Sequence, residues 1–127
     1  MRTAAVTAAL ATLFLGQALG QDAAEIARGR EVFAHWCAPC HGHGRGDDGA
    51  PMLPGTHALT LKYRGEKPGL LTERTDLPAE LIKAFVRSGV ASMPPFRKTE
   101  VTDADLEAIA AYLAATAAKP REARAAP

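Results

Sequence analysis

Apolar residues recur every three or four positions in the stretch that begins at Asp22. Ile26, Gly29, Phe33 and Trp36 share one side of a helical projection, and charged residues occupy the other side. This spacing predicts an amphipathic helix with acidic residues in its first turn, where the helix dipole favours them. The segment HGHGRGDDGAPMLPG that follows holds five glycines and two prolines. The helix is therefore predicted to end at the sequence WCAPCH.

Two further helices are predicted in the second half of the chain. In TDLPAELIKAFVRSG, Asp76 is a candidate N-cap, Pro78 falls in the first turn and Gly89 ends the helix. In TDADLEAIAAYLAATAA, Thr102 caps the helix and Asp105 occupies the capping-box position. A weaker pattern in HALTLKYRG predicts about two more helical turns. No stretch is rich in β-strand signals, so the chain is expected to be all-α, with three to four short helices joined by long loops.

The 127 residues are 47% hydrophobic and 23% charged, which indicates one small globular domain. The first twenty combine Arg2, an uncharged apolar run and the small-residue site Ala18-Leu19-Gly20, which is typical of a secretory signal peptide. We expect cleavage near Gly20 and a periplasmic location, with a retained membrane anchor as the alternative. The predicted organisation is a signal peptide over 1–20, a folded domain over 21–117 and a disordered tail over 118–127.

Charge and hydrophobicity narrow the possible partners of the mature chain. Without Arg2, 14 Lys and Arg balance 14 Asp and Glu. The mature chain therefore lacks the excess of basic residues that is typical of nucleic-acid-binding proteins. After signal cleavage no segment is apolar enough to be an integral membrane span. Long loops in so short a chain predict a thin protein core, which something else should fill.

Both cysteines lie in one C-x-x-C motif, so the chemistry is expected to be local to it. A thioredoxin-like dithiol is one reading, but that motif follows a strand and begins a long helix, whereas here a helix precedes Cys37. A zinc site built from Cys37, Cys40, His41 and His43 is a second reading, although near-adjacent residues rarely converge on one tetrahedral ion. A plain disulfide is the third.

Covalent haem attachment explains Cys37, Cys40 and His41 together. Two thiols two residues apart can add to the two vinyl groups on one edge of a porphyrin, and the next imidazole then reaches the iron. The motif therefore predicts one covalently bound haem c. Its iron would take His41 as the proximal ligand.

The sixth position of the iron needs a ligand from farther along the chain. Met93 lies in SMPPF, a proline-stiffened loop between the two best predicted helices, and is the preferred candidate. Met52 and His57 lie closer to the motif, and His57 is the second choice. A neutral thioether favours reduced iron, and a filled sixth site leaves no position for substrate. The expected role is electron transfer, not enzymatic catalysis.

The segments GREVFAHWCAPCHG, GAPMLPG, SMPPF and LEAIAAYL, in this order, resemble the class I c-type cytochromes of bacteria. The resemblance implies a small cytochrome c fold around one haem. It assigns Cys37 and Cys40 to the thioether bonds, and His41 and Met93 to the iron. It further implies that the backbone carbonyl of Pro51 accepts the ring N–H of His41.

The resemblance also predicts packing contacts. Gly29 and Phe33 of the first helix would cross the last helix at Tyr112, with glycine allowing the backbones to approach. Trp36 and Phe96 are expected to pack against the haem, which would supply the missing apolar centre.

Residues 56–76 are longer than a minimal connection in this family. They are expected to shield a haem edge, to contact the haem propionates through Lys62, Arg64 or Arg74, to form a partner-specific surface, or to be a solvated insertion.

The predicted function is a monohaem carrier that passes single electrons between a donor and an acceptor redox protein. Arg87, Arg97 and Lys98 flank the Met93 loop and are candidates to orient a partner, or are ordinary surface charges. A weaker resemblance suggests a dedicated subunit of a flavoprotein dehydrogenase of phenolic or alcohol substrates. A haem enzyme or ligand sensor is the remaining alternative, if Met93 does not bind iron.

Overall fold

The computed structural model describes residues 22–118, so the predicted signal peptide over 1–20 and the tail beyond residue 118 lie outside the described part. Helix α1 covers 22–36 of this part. It is followed by α2 (Ala38–His41), α3 (Pro54–Tyr63), a 3-10 turn (Leu71–Glu73), α4 (Ala79–Ser88) and α5 (Asp103–Ala117). The predicted all-α class is confirmed, with the single-turn α2 added. None of the helices within 22–118 has the length and hydrophobicity that crossing a bilayer requires.

The protein core lies where α1, α4 and α5 meet. Seven buried side chains form it: Phe33, Ile82, Val86, Val101, Leu106, Ile109 and Leu113. At the crossing of α1 and α5, a Cβ atom on Gly29 would overlap the carbonyl oxygen of Ala108. The rings of Phe33 and Tyr112 lie 5.5 Å apart. The predicted crossed-helix contact is therefore confirmed.

The ends of α4 and α5 follow local sequence signals with one exception. Gly89 ends α4 with a φ of 68°, as predicted. The capping box of α5 is confirmed, because the Asp105 amide donates to Thr102 Oγ1 at 3.1 Å and the Thr102 amide donates to Asp105 Oδ2 at 2.9 Å. The predicted cap at Asp76 is wrong: Pro78 holds the N-cap position of α4, and no side chain caps it.

Asp76 instead pairs with two cations of the segment between α3 and α4. Its carboxylate accepts hydrogen bonds from Arg74, whose Nη2 lies 2.8 Å away, and from Lys67. The Arg74 side chain is only 4% exposed, and its guanidinium carbon lies 4.6 Å from the centre of the Tyr63 ring. Because these charges are paired and packed on an aromatic ring, the insertion is a folded segment. The expected roles of residues 56–76 stay predictions.

Candidate haem site

The cysteine motif forms one helical turn at the end of α1. The Cys37 amide donates to the Phe33 carbonyl at 2.9 Å, and the His41 amide donates to the Cys37 carbonyl at 2.8 Å. Residues three and four apart on a helix share a face, so Cys37, Cys40 and His41 are neighbours. The two cysteines form no disulfide with each other; Cys37 is half-buried and Cys40 is exposed. The turn therefore offers two thiols and one imidazole on one face.

The thiol chemistry argues against a redox-active dithiol. Burial, helped by the nearby Cys40, raises the pKa of Cys37 from 9.0 to about 11. A nucleophilic cysteine needs a lowered pKa, because the thiolate is the reactive form. A zinc site also lacks support, since within residues 22–118 no three His, Cys, Asp or Glu side chains converge on a common point.

His41 is half-buried, and burial lowers its pKa, which favours the neutral imidazole that binds a metal. Its Nδ1 atom is buried and makes no hydrogen bond. The predicted hydrogen bond to the Pro51 carbonyl is therefore not made in the structure. The neighbour of this ring edge is Gly55, where a Cβ atom would lie 2.6 Å from His41 Cε1 and 2.7 Å from Nδ1. Proline starts α3 one residue earlier, and this brings the Gly55 backbone against the imidazole.

The start of α3 is thus part of the site, and sequence reasoning missed it. Besides Gly55, the buried Thr56 contributes, because its hydroxyl donates to the carbonyl of Gly42 at 3.1 Å and so links α3 to the end of the attachment turn. Gly55 directly follows the proline that starts α3, and this position could have indicated the contact. Glycine is a poor helix former, so within a helix it suits places where a backbone or a ring approaches closely.

Met93 lies in a tight turn directly after α4. Its amide donates to the Val90 carbonyl at 2.9 Å, and the Val90 amide donates to the Met93 carbonyl at 3.0 Å. A Cβ atom on Gly89 would lie 2.8 Å from the Met93 carbonyl oxygen. The side chain of Met93 packs against the protein core, as does that of Cys37. The fold therefore brings the attachment turn and the methionine turn to the same cluster.

A pair of aromatic rings joins these two turns directly. Trp36, the residue before Cys37, lies edge-on to Phe96 with the ring centres 5.8 Å apart. Trp36 is 38% exposed, whereas Phe96 is half-buried against the core. The two residues predicted to pack against a haem are thus close to each other and border both turns.

The residues present suit a haem. Two cysteines and an imidazole share one helical turn, and burial favours the neutral form of that imidazole, which is the form that binds a metal. Three large apolar side chains on or directly after α4 are exposed, namely Leu81, Phe85 and Val90. An apolar macrocycle held at the cysteines is the kind of group that such side chains can pack against.

The alternative sixth ligands are placed differently. The sulfur of Met52 accepts a hydrogen bond from the Thr60 hydroxyl at 3.6 Å, so it is engaged within the α3 region. His57 is half-buried on α3. Met93 packs on the same core as Cys37, and its role as the second ligand stays a prediction.

The cations around the Met93 turn are paired. Arg97 contacts Glu100, and Lys98 contacts Asp103 at 3.0 Å. Arg87 is 21% exposed and bonds inward to the backbone that follows Met93. The expectation that Arg87 is a surface charge is therefore wrong.

Comparison with known proteins agrees with this geometry. The sequence profile of the family described as cytochrome C oxidase, cbb3-type, subunit III matches residues 24–113. The chain belongs to this family of class I c-type cytochromes. The cytochrome is also 32% identical over 114 residues to a protein named cytochrome c6 from Cyanidioschyzon merolae, covering 90% of this chain and 94% of that one. No solved structure shows significant similarity to it.

Family membership establishes the chemistry of this cytochrome. It carries covalently bound haem c with iron, and it is an electron-transfer protein that exchanges electrons with redox partners. When bound, the haem supplies one-electron exchange between ferrous and ferric iron. The predicted cofactor and the predicted electron-transfer role are confirmed.

Proposed function

We propose that this cytochrome is a periplasmic monohaem carrier that passes single electrons between two redox proteins. Cys37 and Cys40 hold the haem through thioether bonds, and His41 and Met93 are its axial iron ligands. The N-terminal sequence supports the location, because residues 1–20 have the build of a cleaved signal peptide.

The observation that carries the ligand assignment is the contact between the two turns. Trp36 and Phe96 are 60 positions apart in sequence, yet their rings lie 5.8 Å from each other. Trp36 precedes the first attachment cysteine, and Phe96 follows Met93 by three residues. The contact supports Met93 as the axial ligand, because it joins the turn that carries Met93 to the turn that carries the cysteines.

A histidine and a methionine on the iron suit an electron carrier. The neutral sulfur stabilises the reduced state more than an imidazole does, so the potential is comparatively high. A closed sixth position keeps oxygen and small ligands away from the iron. Partners are expected to dock weakly and transiently near the attachment turn and the Met93 turn, as redox proteins commonly do.

The absorption spectrum of the oxidised full-length protein tests the ligand pair. A His/Met pair gives a near-infrared sulfur-to-iron band, and the reduced protein binds carbon monoxide slowly or not at all. In a Met93→Ala variant we expect the band to disappear, the potential to fall and carbon monoxide to bind promptly. Met52→Ala is the matched control and should keep all three properties.

The assignment is contradicted if the Met93→Ala variant keeps the band and the potential of the unaltered protein. Loss of the band in Met52→Ala alone would transfer the role to Met52. The covalent link is checked separately with a Cys37→Ser, Cys40→Ser double variant, which can form no thioether bond and should lose any haem on denaturing extraction, whereas the unaltered protein keeps its haem.

The partner is tested by oxidation and by co-purification. A free carrier exchanges electrons with several partners, and its rates fall as salt rises. A subunit dedicated to a flavoprotein dehydrogenase would instead purify with that one flavoprotein.

A further inference from the structure

Arg87 joins the end of α4 to the segment that follows Met93. Its Nη1 donates to the Phe96 carbonyl at 3.0 Å, and its Nη2 donates to the Val101 carbonyl at 2.8 Å and to the Asp103 carboxylate at 2.7 Å. The Nε atom is buried and makes no hydrogen bond, so these three contacts set the orientation of the guanidinium. One side chain thus bonds two backbone carbonyls and one carboxylate between the methionine turn and the start of α5.

The Phe96 backbone is held on both sides by α4. Its amide donates to the Val86 carbonyl at 2.8 Å, and its carbonyl accepts from the Arg87 side chain at 3.0 Å. At the other end of the turn, the amide and carbonyl of Met93 are both bonded to Val90. Two prolines occupy the positions between. The short segment from Met93 to Phe96 is therefore anchored at both ends.

Arginine suits this position for a physical reason. Its planar guanidinium offers several N–H donors in a fixed fork, so it can serve two carbonyls and a carboxylate at once. Asp103 has a second cation, Lys98, at 3.0 Å and would keep a partner without Arg87. Loss of Arg87 would therefore mainly remove the hydrogen bonds to the Phe96 and Val101 carbonyls. Its distinctive contribution is to fix backbone next to the methionine turn.

We propose that Arg87 is a positioning residue for Met93. By fixing the carbonyls of Phe96 and Val101, it holds the methionine turn against the haem and keeps the sixth position of the iron closed to other ligands. This inference rests on the proposed function, because it takes Met93 as the axial ligand.

Imidazole binding to the oxidised, haem-loaded, full-length protein measures this closure. An external imidazole binds only after Met93 has left the iron, so its binding rate reports how often the turn opens. In an Arg87→Gln variant we expect that rate to rise roughly tenfold, as the loss of a charged hydrogen-bond donor implies. The near-infrared sulfur-to-iron band should weaken, and the reduction potential should fall.

Two control variants on α4 separate positioning from general stability. Lys83→Gln removes a cation whose Nζ lies 3.7 Å from Glu107 of α5, and neither residue bonds the methionine turn. Ile82→Val removes a methyl group from the protein core and lowers the stability without touching the Arg87 contacts. Both should keep the imidazole binding rate of the unaltered protein. Arg87→Lys should give an intermediate rate, because an ammonium group cannot reproduce the planar fork.

The proposal is overturned if Arg87→Gln binds imidazole no faster than Ile82→Val at matched stability. Where the glutamine variant does not accumulate, Arg87→Lys decides the matter, and an unchanged rate in it overturns the proposal equally. The Met93→Ala variant distinguishes a failure of the ligand assignment from a failure of the positioning role of Arg87. If that variant retains the sulfur-to-iron band, the ligand assignment fails; if it loses the band while the Arg87 variants match the controls, only the positioning role fails.

Discussion

Gly29 of α1 lies directly against the backbone of Ala108 in α5. A Cβ atom at position 29 would overlap the Ala108 carbonyl oxygen and would lie 2.9 Å from Tyr112 Cβ. The obstacle is mainly backbone, which cannot rotate away as a flexible side chain can. Since α1 ends in the attachment turn and α5 carries much of the core, this close contact sets where the cysteines lie relative to that core.

Gly29→Ala should therefore destabilise the protein although alanine is the better helix former. We expect a loss of about 2 kcal/mol in the free energy of unfolding, typical of overpacking, measured by urea titration of the haem-loaded protein. The exposed Ala34→Gly on the same helix is the control and should cost about 1 kcal/mol from helix propensity alone. A gain in stability for Gly29→Ala would mean that the two helices are not in close contact.

Gly55→Ala should disturb the iron ligand without touching the iron. The added methyl group would lie 2.6 Å from His41 Cε1 and 2.9 Å from the Cys40 carbonyl oxygen, so the imidazole must shift. We expect a lower yield of haem-loaded protein, an altered visible spectrum and a changed reduction potential. Ala58→Ser, at an exposed position of α3, should leave all of these unchanged. Equal spectra for the two variants would show that α3 does not constrain the imidazole.

Arg74→Gln should loosen the segment between α3 and α4. The change removes a buried guanidinium that bonds Asp76 and stacks on Tyr63, and we expect it to cost about 1–3 kcal/mol of unfolding free energy. Arg97→Gln is the matched control. It breaks an exposed ion pair to Glu100, which solvent screens, and should cost much less than the change at Arg74. Similar losses for the two variants would show that the Arg74 cluster is an ordinary surface pair.

Acid should lower the free energy of unfolding, because two carboxylates are paired with cations in the folded protein. Arg87 and Lys98 lower the pKa of Asp103 from 3.8 to about 2, and Arg74 and Lys67 hold the pKa of Asp76 well below its usual range. A depressed pKa means that the unfolded chain binds the proton first, so stability is lost as the pH falls below 3.8.

Urea midpoints measured across that pH range test this dependence. An Asp103→Asn, Asp76→Asn double variant should be less stable near neutral pH and should lose less additional stability in acid. If its acid dependence matches that of the unaltered protein, other groups are responsible.

Local sequence signals were reliable where neighbouring residues decide the outcome. The apolar spacing around Phe33, the capping box at Thr102 and the glycine stop at position 89 all predicted elements that the structure contains. The C-x-x-C-H spacing likewise needs only one helical turn to place its two thiols and its imidazole on one face.

Contacts between distant segments were harder to predict. Asp76 has the residue type and position of a helix cap, yet its carboxylate pairs with Arg74, whose guanidinium is held over the ring of Tyr63 at the end of α3. Arg87 looks like a surface charge in sequence, because nothing local shows that α4 turns it toward the Phe96 and Val101 carbonyls. The acceptor predicted for His41 was Pro51, whereas its ring edge lies against Gly55.

The sequence by itself determined the helices and the chemistry of the attachment turn, because these follow from spacing, capping and residue type, and it made Met93 the preferred candidate ligand. Only the tertiary structure decided which residues surround them. It placed Gly55 beside the imidazole, Trp36 against Phe96, and Arg87 on the backbone after Met93. The physical reason is that such contacts depend on how whole helices cross, and a single close approach such as that of Gly29 to Ala108 sets that crossing.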